Sequence, residues 1–352
     1  MSTIERRYDI DWLRVIAIGL LLIYHVSIGF QPWGFFIGFI TNKQSLDKLW
    51  MAMQMLNVWR IPFLFFVSGM GVYFALRNRS WQQLLLERTK RILIPFLFGM
   101  IVIVPLQIFL IQTYYNQGLS YVADPSHLWF LGNIFVYVLL LLPFFYYVKK
   151  NETAAPVVFI KKLFGTVWGL LLVFIVMIIE VVCVDPTPYE LYAMKWHGFF
   201  LGLAAFIFGF CFVLSGKPFW NMLLKGRWIF LIAAAGLYIY RMIQAPARVA
   251  GFQLSIESTF WILTVFAFGY RYLNRPSKVL GYLSEAAYPV YIVHMIFLYL
   301  ASMLLFPLEM PAALKYVLAL LVTLTGSMGF YELVIKRIGV LRFFFGLSAK
   351  KA

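Results

Sequence analysis

Arg14–His25 reads RVIAIGLLLIYH, a nearly pure apolar stretch held between a guanidinium and an imidazole. With its flanks the run covers 12–30, enough helix at ~1.5 Å per residue to cross a hydrocarbon core of ~30 Å. Asp11 and Arg14 open it and no small-residue cleavage site follows, so it is expected to be a retained helix, not a signal peptide. Its polar ends need a reason. Ionisable groups in a span are costly and usually turn toward a partner or a polar cavity.

Comparable runs follow at 50–75, 92–111, 128–148, 164–184, 197–215, 228–243, 255–273, 285–306 and 312–335. Hydrophobic residues make up 63% of the 352 positions and charged residues 12%. That is too little polar material to cover a soluble domain of this size. The prediction is an all-α integral membrane protein of about ten transmembrane helices, since the runs are far longer than barrel strands require. Loops are short, no internal repeat stands out, and one membrane domain over 1–352 with its core at 11–337 and no appended soluble domain is expected. The missing repeat weighs against a transporter built from inverted halves.

The net charge of +16 invites a nucleic-acid partner, but its distribution points elsewhere. With the N-terminus in the cytoplasm, one set of alternate segments carries Arg6, Arg7, Arg77, Arg79, Arg88, Lys90, Arg91, Lys149, Lys150, Lys161, Lys162, Lys217, Lys225, Arg227, Arg271, Arg275, Lys278, Lys336, Arg337, Arg342, Lys350 and Lys351. The other set holds Lys43, Lys48, Lys195, Arg248 and Lys315, while Arg14, Arg60 and Arg241 fall inside spans. This is a positive-inside pattern with both termini cytoplasmic. Cys183 and Cys211 have no metal-ligand spacing and are expected to be buried small hydrophobes, so no metal site is expected.

Arg14 and His25 are close to three whole helical turns apart, which puts them on one face about 16 Å apart along the axis. Asp11 shares that side. A channel wall with different tasks at its ends fits this face; so does an interfacial Asp11/Arg14 pair plus a histidine bonded to a neighbouring helix. In WRIPFLFFVSGM, Arg60 lies two residues before Pro62 inside a span, and Ser68-Gly69 reads as a close helix contact, since no nucleophile-type turn surrounds the serine. In LLLERTKRILIPF, Arg88 and Arg91 are spaced to share a face, with Lys90 between them. Guanidinium forks suit phosphate, and positive-inside topology with anionic lipid accounts for the same cations. In SEAAYPVYIVHMIFL, Tyr288, Tyr291 and His294 recur every third residue on a late span. Pro62, Pro95, Pro105 and Pro289 lie inside spans, and Glu332 stands four residues before Lys336.

Together these stretches resemble the acyltransferase 3 family of membrane acyltransferases. The resemblance rests on DWLR followed by His25, FFVSG at Phe65 to Gly69, RTKR at Arg88 to Arg91, HLWFL at His127 to Leu131 and YPVYIVH at Tyr288 to His294, in the family's order from Asp11 to about Arg337. The opening RRYDIDWLRVIAIGLLLIYHVSIGFQPWGF and WRIPFLFFVSGMG are most similar to the glucan biosynthesis protein C branch. The resemblance implies an acyl-CoA donor, succinyl-CoA or acetyl-CoA, and a hydroxyl acceptor on an extracytoplasmic glycan or lipid-linked glycan, at a bacterial inner membrane.

On that reading His25 is the expected general base, with Asp11 orienting Arg14, Arg14 steadying the donor, and His294 with Tyr291 positioning the thioester or its oxyanion. Arg88, Arg91 and Lys90 are the expected CoA-phosphate residues, and Arg60 or Arg241 the partner of a succinyl carboxylate. Membrane lipid is an expected partner and nucleic acid is not. A lipid acyltransferase with the same donor path, or a secondary transporter, are the competing classes.

Overall fold

The computed structural model describes residues 6–245 and 249–348. Arg248, Lys350 and Lys351, counted among the cations above, lie outside the described residues. Among those residues the secondary structure is helical, with no strand, and ten helices are long and apolar enough to cross a membrane. The spans are α1 (Tyr8–Ile28), α2 (Asp47–Arg77), α3 (Trp81–Tyr114) and α4 (Ser126–Lys150). A short α5 (Ala155–Phe164) precedes α6 (Val167–Val184), α7 (Trp196–Ser215), α8 (Lys217–Gln244), α9 (Gly251–Tyr272), α10 (Lys278–Leu305) and α11 (Ala312–Ile335). All ten expected spans are present. Several run past their apolar cores: α3 and α8 each begin about three turns before the predicted run, because a helix continues through polar residues where hydropathy stops.

The chain divides into two compact units. Among the described residues, unit 1 is formed by 6–14, 57–86, 133–245 and 249–280. Within it α8 packs on α9, α9 on α6, and α6 on α7. The α2–α7 contact depends on small residues. A Cβ at Gly69 would collide with the Phe206 carbonyl, and one at Gly209 with the Phe66 carbonyl, so the two backbones touch reciprocally. Ser68 Oγ donates to Leu64 O of its own helix at 2.8 Å, so FFVSG is a packing element in this unit. Between α8 and α9, Arg241 makes a buried fork to Glu257, with Nε and Nη2 donating at 2.8 and 2.9 Å. Lys149 Nζ donates to Leu76 O and Arg79 O at 2.9 and 2.6 Å, closing the C-terminus of α2 with a cation where the helix dipole favours one.

Among the described residues, unit 2 is formed by 15–56, 87–132 and 281–348. Its part of α3 is an alternation of α and π turns. Thr89–Leu93 and Gly99–Ile103 are π segments, closed by Ile94 N–H to Thr89 O and Val104 N–H to Gly99 O. Pro95 and Pro105 follow immediately. A proline cannot donate to the carbonyl four residues back and its ring crowds that carbonyl; a wider turn relieves the crowding. The carbonyl left by Pro105, Ile101 O, accepts from the Tyr121 hydroxyl at 2.8 Å. That left by Pro95, Arg91 O, lies against Gly346, where a Cβ would come within 2.9 Å of it. Gly346 has φ +69, so glycine is suited to the position on both counts. Lys315, buried, donates to Asn42 Oδ1 and Phe306 O. Glu332 and Lys336 pair as expected, at 2.9 Å.

One expectation changes: Cys211 is buried but Cys183 is exposed, because the last turn of α6 presents it outward.

Candidate active site

His25, three turns above Arg14 on the unbroken α1, meets His294 of α10 within unit 2. Nδ1 of His25 and Nε2 of His294 are 2.8 Å apart, and the rings stack with an interplanar angle of 12°. His294 Nδ1 lies 2.6 Å from the backbone carbonyl of Tyr291, one helical turn earlier. A carbonyl only accepts, so His294 Nδ1 carries the proton and its Nε2 the lone pair. His25 Nδ1 then donates to that lone pair, which makes Nε2 the unprotonated nitrogen of His25. Protons are placed here by the network, and the direction of the whole chain follows from one carbonyl.

A third histidine completes the centre. His127 Nε2 donates to Ile292 O at 3.2 Å, and its ring stands edge-on to His294 with centroids 5.1 Å apart. Its Nδ1 is buried and makes no hydrogen bond. The Tyr291 hydroxyl donates to the His127 backbone carbonyl. Tyr291, with His294, is expected to position the thioester or its oxyanion; its hydroxyl here holds the start of α4 against α10. In the sequence His127 belongs to HLWFL, and the signal that singles it out is that it is one of only four imidazoles in the chain.

Arg88 and Arg91 do come together, but around the carboxylate of Glu87, the residue before them in the chain. Arg88 Nε is 3.2 Å and Arg91 Nε 3.1 Å from the two oxygens of Glu87. The π turn through 89–93 alters the simple i, i+3 register, and Glu87 keeps the pair together while offsetting one of the charges. Arg91 is the more exposed of the two, and Lys90 is exposed beside it.

The remaining expected residues belong to unit 1. Asp11 Oδ1 lies 3.8 Å from Arg14 Nη1, while its other oxygen takes Arg6 Nη2 at 3.2 Å, so Asp11 is shared between two arginines. A Cβ at Gly71 would touch Arg14 Nη2, which shows the guanidinium lying along α2. Arg60 is 2% exposed on α2, near Tyr192, whose hydroxyl is pushed above its ordinary range by burial, with the Arg60 charge opposing. Arg241, an expected partner for a substrate carboxylate, is instead engaged by Glu257. Among the described residues no group of His, Cys, Asp and Glu is arranged to hold a metal ion.

Ten apolar spans with an imidazole centre define a multi-pass membrane protein with acid–base groups inside its helical framework. The chain belongs to the acyltransferase 3 family, whose model, an acyltransferase domain, matches residues 7–332. It is therefore a membrane acyltransferase. Comparisons with curated proteins and with solved structures gave no significant match.

Proposed function

We propose that the protein transfers a succinyl or acetyl group from cytoplasmic acyl-CoA to a hydroxyl of an extracytoplasmic glycan, across a bacterial inner membrane with both chain ends in the cytoplasm. Within the family we place it in the glucan biosynthesis protein C branch. The observation that carries this reading is the direction of the hydrogen bonds from His25 through His294 to the Tyr291 carbonyl, which leaves His25 Nε2 able to accept a proton.

The acceptor hydroxyl gives its proton to His25 Nε2 as its oxygen bonds to the thioester carbonyl carbon. The C–S bond then breaks, and the departing CoA sulfur takes that proton up, so the products are an ester and a free thiol. His294 Nε2, accepting from His25 Nδ1, orients the ring and shares the transient imidazolium charge, the role a carboxylate has in other acyl-transfer centres. Within unit 2, Arg88, Arg91 and Lys90 meet the phosphates of CoA.

A lipid acceptor has one observation in its favour. The turn after α1, Pro32–Ile37, exposes Phe35, Phe36 and Ile37, and Phe39 just beyond it packs its ring 5.9 Å from His25.

The test is reconstitution into liposomes with labelled succinyl-CoA or acetyl-CoA on the Arg88 side and glycan on the other. Label should reach the glycan, and normally inserted His25→Ala should lose transfer by on the order of a hundredfold or more. Near wild-type transfer by His25→Ala would remove the general base. Preference for acetyl-CoA would remove the branch assignment, and label found only in lipid would favour the second reading.

A further inference from the structure

His197, the one histidine outside the imidazole centre, lies in unit 1 in the first turn of α7. Its Nδ1 is 3.1 and 3.0 Å from the two carboxylate oxygens of Glu180 on α6. A carboxylate oxygen accepts, so Nδ1 donates, and in the neutral form of the ring the lone pair sits on Nε2. That Nε2 is buried and makes no hydrogen bond, in a side chain only 1% exposed. Tying α6 to α7 uses only Nδ1 and gives no account of the other nitrogen. A carboxylate that fixes the tautomer and direction of an imidazole is how proteins aim the distal nitrogen at something else.

The surroundings narrow what that is. The rings of Tyr189 and Tyr192 lie with centroids 5.1 Å from His197, the second stacked on it. Tyr192 has its hydroxyl engaged by Val58 O at 2.9 Å. Tyr189 differs: its hydroxyl is close to those of Ser258 and Tyr192, yet neither Tyr189 Oη nor Ser258 Oγ makes a hydrogen bond of regular geometry. A group that satisfies all three must donate to Nε2 and exchange hydrogen bonds with two hydroxyls. A carbonyl cannot donate to Nε2 and an ammonium cannot accept from the hydroxyls; a hydroxyl does both, in a sugar as in water, and the sugar is chosen on the glycan-acceptor reading.

We propose that Glu180, His197, Tyr189 and Ser258 form an acceptor subsite that holds one hydroxyl of a carbohydrate by its donation to His197 Nε2. This rests on the glycan-acceptor reading above. On the proposed topology the segment 185–195 between α6 and α7 faces the extracytoplasmic side, where such an acceptor would be found.

The experiment uses the full chain in liposomes, a glucose oligosaccharide as probe, and diethyl pyrocarbonate, with modification of the four histidines followed separately by peptide mass. The oligosaccharide should slow modification of His197 severalfold. His197→Asn keeps a donor for Glu180 and deletes the Nε2 acceptor. It should raise KM for the oligosaccharide about tenfold with a smaller change in kcat, whereas a His25 variant loses kcat. Ser258→Ala should move KM in the same direction, which covers the case that His197→Asn does not fold. If labelled acyl groups reach the oligosaccharide but His197 is unprotected, or is inert to the reagent throughout, the subsite is overturned and the glycan reading stands. An unchanged KM in both variants overturns it equally. If no acyl group reaches the oligosaccharide and lipid is labelled instead, the glycan reading fails and the subsite with it.

Discussion

Tyr291 contributes two oxygen atoms to the imidazole centre, and they do different work. Its backbone oxygen accepts from His294 Nδ1 and so sets the proton direction through to His25. Its hydroxyl donates to the His127 carbonyl and so ties two helices together. Tyr291→Phe removes only the second and is expected to leave kcat within a few-fold of wild type. His294→Ala removes the acceptor that orients His25, and kcat is expected to fall by on the order of a hundredfold. Steady-state transfer by the two folded variants checks this; equal losses would mean the tyrosine hydroxyl takes part in the chemistry. The i, i+3 spacing of Tyr291 and His294 was legible in the chain, because one helix supplies both. The donor–acceptor direction was not, since it depends on a main-chain carbonyl, and neither was His127, whose partners lie on a distant helix. Glu87 was legible as well, since it stands four residues before Arg91, the spacing of a helical ion pair.

At the scale of the helix, prolines explain features that hydropathy cannot. Pro62 leaves Val58 O on α2 without its usual donor, and the Tyr192 hydroxyl supplies one from a different segment of unit 1. Tyr192→Phe should therefore destabilise the protein by about 1–2 kcal/mol. Pro62→Ala restores a main-chain donor to the same carbonyl, so Pro62→Ala with Tyr192→Phe should cost less than the sum of the two single changes. Thermal unfolding in detergent measures the cycle, and strict additivity would separate the tyrosine from the proline. Burial holds the Tyr192 hydroxyl neutral well above its ordinary value of 10.0. Above about pH 10 the unfolded chain then carries fewer protons than the folded one, and this residue's contribution to stability declines as pH rises. The positions of the kinks could be read from Pro62, Pro95 and Pro105. The π turns and the tyrosine donors that accommodate them could not, because each depends on which carbonyl a neighbour can reach.

Across the whole molecule the expected and proposed site residues are apportioned: unit 2 carries His25, His127, Tyr291, His294, Arg88 and Arg91, and unit 1 carries Asp11, Arg14, Arg60 and the Glu180–His197 pair. The number of spans was legible because length and apolarity determine it, whereas orientation is a relation between the chain and its membrane. Some cations that create the charge bias also have local structural roles, as Lys149 does at the end of α2 and Arg342 does in donating to Ser348 O. The bias still predicts the side on which each loop lies. With Cys183→Ser and Cys211→Ala as background, Lys195→Cys places a thiol at an exposed position between α6 and α7, and Arg275→Cys places one between α9 and α10. A membrane-impermeant maleimide added to intact cells should label Lys195→Cys, and should reach Arg275→Cys only after permeabilisation. The reverse pattern would put Arg88 and Arg91 on the outer face, away from a cytoplasmic CoA donor, and the proposed direction of transfer would fail even if His25 were the base.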